Sequence, residues 1–450
     1  MKYLLKNIAV VNEGKTFYSD VFINNQRIEK MASSINLPAN AAVKEINGEN
    51  LHLLPGCIDD QVHFREPGLT HKATIASESK AAAAGGITSF MDMPNTIPNT
   101  LTQKLLEDKY AIASESSVVN YSFFMGINQD NLEEALLTDP ENVCGITDDG
   151  LYFNNDHGIL ANYPDYLEKL FARTSILTAL HSEDDSIIKT NTDRYKKEFG
   201  DNIPFNHHHL IRTEEACFVA TQRVLEIAKK HNNRLHFFHI STQKEAALFE
   251  QHQNIRDKRI TAEACVHHLW FTSEDYDTLG SKIKWNPSVK TQHDKDGLIQ
   301  ALLDNKIDII ATDHAPHTIE EKSGNYTKAM SGGPLVQHAL PALLELYHQN
   351  KLPLQKIVEK TSHHVAEIYR LKERGYIREG YFADMVMVDL NNSWTATKEN
   401  TLYKCGWSPF ENYTFNSKVI KTFVNGQLVY DTGSFAESSR GMRLKFERDR

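Results

Sequence analysis

Eight apolar, strand-like runs recur through the middle of this 450-residue chain, and they constrain its fold more than any other feature. They are "PGCIDDQVHF", "GITSFMDMP", "NYSFFMGI", "NVCGITDDG", "SILTALHSE", "RLHFFHIST", "RITAEACVHHLW" and "IDIIATDHAPH". Between most of them lie helical patterns such as "HKATIASESKAAAAGG" and "EEACFVATQRVLEIAKKH". Alternating strands and helices indicate a parallel sheet covered by helices, an α/β class. Eight repeats suit a closed, TIM-like (β/α)8 barrel, expected over residues 55–370.

The two ends read differently. Residues 1–54 and 371–450 carry short β-branched runs between Asn/Gly turns, with an Asn425-Gly426 pair typical of a hairpin. They are expected to join as one small β unit with the long middle inserted between them. A net charge of −10 argues against nucleic acid or an anionic membrane as a general partner. No run approaches the ~18 apolar residues of a membrane span, and "MKYLLKNIAVVNEG" does not read as a secretory signal. The five scattered cysteines have the spacing of neither a disulfide framework nor a Cys-based zinc site. A reducing cytoplasm is the expected compartment.

In a barrel of this kind, chemistry collects at the C-terminal ends of the strands. Polar residues fall there repeatedly: Gln61 and His63, Asn95, Asp149, His181, His239, His267 and Asp313. His63, His181, His239 and Asp313 would converge on one rim as metal ligands, imidazole being a common zinc ligand. Asp313 ends an apolar strand, where an isolated carboxylate is costly unless paired or metal-bound. The ordinary reading of that aspartate is a helix N-cap. "GITDDG" offers Asp148 and Asp149; an Asp-Gly turn is the ordinary explanation there, but the strand end favours a bridging carboxylate. Other histidines are weaker candidates. His207 to His209 in "NHHHL" point in different directions and read as solvated or packed, and His267 and His268 read as packing. Gly332-Gly333 alone reads as a flexible loop. No P-loop or dinucleotide fingerprint is present.

"VHFREPG", "MDMPNT", "TDDG", "ALHSED", "FHIST", "KWNPSVK" and "ATDHAPH" occur in the order seen in the dihydroorotases of the amidohydrolase superfamily. The chain most resembles the type I bacterial group, and the likeness covers nearly its whole length. It implies a (β/α)8 barrel with a β-sandwich built from both chain ends, and the reversible cyclisation of N-carbamoyl-L-aspartate to L-dihydroorotate in pyrimidine biosynthesis. It further implies zinc, as one or two divalent ions held by His63, Asp149, His181, His239 and Asp313. A metal-bound hydroxide would attack the cyclic amide, with Asp313 as acid/base. Arg65, Asn95 and His317 match the groups that hold the substrate carboxylate; Asn286, Gly332 and Gly333 match ring contacts. The resemblance also implies a homodimer and admits association with aspartate transcarbamoylase.

Two departures stand out. No lysine lies in the fourth run, so the bridge is expected from Asp149, with Asp148 as the alternative. Gln61 replaces the first histidine of the strand-one pair, so the metal position beside it should be weakly held. Two other functions compete. One is a related cyclic-amide hydrolase of the dihydropyrimidinase or allantoinase kind, whose uncharged rings would not need the carboxylate clamp of Arg65 and Asn95. The other is a non-catalytic partner of aspartate transcarbamoylase, for which Gln61 is the main support.

Overall fold

The computed structural model describes residues 2–38, 42–151, 159–436 and 439–447. The apolar runs of the middle become parallel strands that pair in chain order. Cys57–Val62 pairs with Ile87–Asp92, which pairs with Asn120–Phe123. The second half of that third run, Met125–Gly126, pairs with Ile146–Thr147. Thr178–Leu180, Leu235–Phe237, Ile260–Cys265 and Ile309–Ala311 then follow in parallel.

A parallel bridge between Val62 and His314 brings the last strand beside the first, and His63 N–H donates to the His314 carbonyl at 2.7 Å. The protein is thus mixed α/β with parallel strands, as the alternating runs predict. The helices begin where their sequences allow. Thr74 caps Ile75–Ala84 in a reciprocal box with Ser77. Thr213 caps Glu214–His231, which has Glu214 and Glu215 in its first turn and Lys229, Lys230 and His231 in its last. Asn232 ends that helix in the left-handed conformation. The apolar faces of the helices pack on the strands in one continuous core that includes Phe64, Phe90, Leu180 and Phe237.

Strands from both chain ends share one nine-stranded sheet. Lys2–Asn12 pairs with Lys15–Asn24 on one side and with Lys44–Asn47 and His52–Pro55 on the other. His52–Pro55 pairs antiparallel with Met385–Asp389, which leads to Lys418–Val424 and Gln427–Asp431. The turn joining the last two holds Asn425 and Gly426 at φ 49° and 71°, the positive values that an Asn-Gly hairpin turn requires. The chain then leaves this sheet and returns to the parallel strands. Arg443 bridges to Tyr121 in the third of them, and Phe446 bridges to Leu371.

Candidate active site

The strand ends deliver their polar residues to one place. His63 Nε2 lies 3.4 Å from Asp149 Oδ2 and 3.2 Å from Asp313 Oδ1. His181 Nδ1 and His239 Nε2 lie 3.5 and 3.9 Å from Asp149 Oδ1. All five side chains are buried. Asp149, His181 and His239 each offer one ligand atom within 4.8 Å of the others. His239 and Asp313 hold positive φ values of 35° and 47°, and Arg65 one of 66°. Such conformations cost about 1–3 kcal/mol each in residues with a side chain, and they collect where a fold must aim a group.

The electrostatics suit a cation. Burial opposes charge on Asp149, but His181, His63 and His239 outweigh it and hold its carboxyl well below the usual range. Burial likewise works against a charged His181, yet Asp149 and Glu183 lift it to about 10. Burial pushes Asp313 up to about 6 against the pull of His63. Buried imidazoles grouped around carboxylates are the donor set that a divalent ion of the zinc type takes.

Asp148 faces elsewhere. Its carboxylate accepts from the backbone N–H groups of Leu160 and His181, at 2.8 and 3.2 Å, while Asp149 faces the histidines. Gln61 is buried beside them: its Nε2 donates to Asp149 Oδ2 at 3.4 Å, and its Oε1 accepts from the Cys265 thiol at 3.5 Å.

A cavity of about 120 Å³ opens against this cluster, lined by His63, Asp149, His239 and Asp313 together with Arg65, Asn95, Asn286, His317 and Gly332. Arg65 Nη2 lies 3.2 Å from His317 Nε2, and its Nε donates to the Pro316 carbonyl. Burial lowers Arg65 only to about 10, so it remains a cation at neutral pH. Asn95 Oδ1 lies 2.8 Å from His63 Nδ1, which turns His63 Nε2 toward the two aspartates. Gly333 sits behind the cavity wall, where a Cβ would meet the Trp285 ring at 2.7 Å.

Three other buried histidines pack against named neighbours. His208 is buried between the Tyr326 hydroxyl and the Trp285 carbonyl, and His267 stacks on Trp285 with ring centroids 4.4 Å apart. His314 pairs with Glu78 at 3.0 Å.

Several residues around the site are not among those the sequence singles out. Glu183 binds His181 Nε2 at 2.9 Å and pairs with Arg212; its spacing two residues after His181 in "LHSED" is the available signal. Lys284 donates to the carbonyls of Tyr326 and Ala329, and Lys322 to those of Met330 and Gly332. The glycine loop that reads as flexible is therefore tied down by two buried lysines.

Known proteins resemble this chain in sequence and in fold. The amidohydrolase family profile matches residues 52–429. A dihydroorotase of Methanosphaera stadtmanae is 32% identical over 91% of this chain and 92% of its own length. One of Halobacterium salinarum is 30% identical over 94% and 95%, and an allantoinase of Desulfitobacterium hafniense is 29% identical over 98% of each chain. Among solved structures, an L-hydantoinase of Arthrobacter aurescens superposes with a TM-score of 0.90 at 21% identity, covering 98% of this chain and 99% of the other. The chain belongs to the amidohydrolase family.

Proposed function

We propose that this protein is a dihydroorotase, interconverting N-carbamoyl-L-aspartate and L-dihydroorotate. The observation that carries the reading is the buried Arg65–His317 pair at the cavity wall, beside the carboxylate–histidine cluster. A guanidinium at the end of a small cavity favours a ring that bears a carboxylate, because its planar fork can donate two parallel hydrogen bonds. The dihydroorotase relatives support the same reading.

In this reading His63, Asp149, His181, His239 and Asp313 hold one or two zinc ions. When bound, the metal makes water a nucleophile at neutral pH and polarises the amide carbonyl. Asp313 accepts the proton of the attacking water and delivers it to the ring nitrogen, which is a poor leaving group until protonated. Ring closure reverses these transfers. Arg65, Asn95 and His317 bind the substrate carboxylate, and Asn286 and the Gly332-Gly333 segment contact the ring. The parallel strands close as a (β/α)8 barrel over residues 55–370, with 1–54 and 371–450 as the accessory β unit. The free cysteines suit a cytoplasmic setting.

The allantoinase relative keeps a second cyclic-amide hydrolase in view. A substrate panel separates the two: turnover of dihydroorotate and carbamoyl aspartate is expected, whereas turnover of allantoin or hydantoin alone would overturn the proposal. Metal analysis of protein purified without chelators should give between one and two equivalents per chain, with the position beside Gln61 partly filled. No metal, and no activity after zinc addition, would remove the site assignment.

A further inference from the structure

Lys72 lines the same cavity, yet nothing in the proposed chemistry uses it. Its ammonium lies 3.1 Å from His317 Nδ1 and 3.1 Å from Glu321 Oε1, and the residue is only 6% exposed. Arg65 Nη2 lies 3.2 Å from the other ring nitrogen, Nε2. His317 is thus held between two cationic side chains, one at each nitrogen, while the Trp407 indole donates to its backbone carbonyl at 2.8 Å.

An ammonium has donors and no acceptor, so a hydrogen bond from Lys72 requires Nδ1 to be the acceptor. A neutral imidazole has one acceptor nitrogen, which leaves the proton on Nε2. Burial, with Arg65 next, holds His317 well below its ordinary pKa, consistent with a neutral ring. Nε2–H and the Arg65 N–H then stand side by side as two donors at the cavity wall. An anionic oxygen placed between them satisfies both. The competing tautomer would give Nδ1–H to Glu321 Oε2, 3.5 Å away, and would use Nε2 to accept from Arg65, leaving one donor fewer for a ligand.

We propose that Lys72 is a positioning residue that sets the tautomer of His317, so that His317 and Arg65 together present donors to the carboxylate of the substrate. The inference rests on the dihydroorotase reading and deepens its carboxylate subsite.

The test compares Lys72→Met, which removes the donor, with Lys72→Arg, which retains it. For L-dihydroorotate, Lys72→Met should raise KM on the order of tenfold or more, the scale of a lost hydrogen bond to a charged group, with kcat within about threefold. Lys72→Arg should recover most of the loss. An unchanged KM in Lys72→Met, or an equal fall in kcat for both variants with KM unchanged, overturns the inference. Should Lys72→Met not fold, nitrogen-15 NMR of the wild-type histidines decides: a protonated Nδ1 on His317 overturns the assignment. Failure of the functional reading looks different, because wild-type protein would then turn over neither dihydroorotate nor carbamoyl aspartate.

Discussion

Asp313 combines three properties at one residue: burial, a positive φ of 47° and a carboxylate 3.2 Å from His63. Replacing it with Asn keeps the volume and removes the base. Turnover should fall by about 10²–10⁴-fold, the usual contribution of a positioned acid/base, while the melting temperature changes little. Retained turnover in Asp313→Asn would take it out of the proton-transfer role. This residue, with His63, Asp149, His181 and His239, is legible in the sequence because each follows an apolar strand. Lys72 and Glu183 are not, because a lone charged residue in a helical or loop pattern ordinarily marks a solvated surface. Their burial against His317 and His181 marks them as part of the site.

At the scale of elements, the segment that runs from the short helix Ile319–Lys322 to Gly333 contributes Met330, Ser331 and Gly332 to the cavity wall. Gly332 has φ 117°, and a Cβ there would approach the Ala315 carbonyl to 2.6 Å. Gly332→Ala should therefore displace the wall: KM for dihydroorotate rises at least several-fold while far-ultraviolet circular dichroism stays that of wild type. Unaltered kinetics would show that the wall accommodates a methyl group. The glycine pair is visible in the sequence, but the close approach of Gly332 to Ala315 and of Gly333 to Trp285 depends on residues that arrive from other segments.

For the whole molecule, residues 443–447 pack on the parallel strands without lining the cavity. Leu444 and Phe446 are buried in a cluster that includes Ile58, Met91 and Cys144. Each buried side chain of this size contributes about 1.5–3 kcal/mol, a large part of the ~5–15 kcal/mol typical of a domain. Removal of residues 443–450 should lower the urea midpoint markedly, while the protein that remains folded keeps its turnover. An unchanged midpoint would show that the tail contributes no net stability.

The sequence by itself determined the alternation of strands and helices, the turn chemistry and the identity of most strand-end side chains, because periodicity, caps and turns are local properties. Tertiary structure alone decided that Asp148 turns to the Leu160 and His181 backbone, that Gln61 is held between Asp149 and Cys265, and that Lys72 reaches His317. Those outcomes depend on which backbone donors, cations and rings converge from distant segments, and side-chain direction at a strand end is set by that packing.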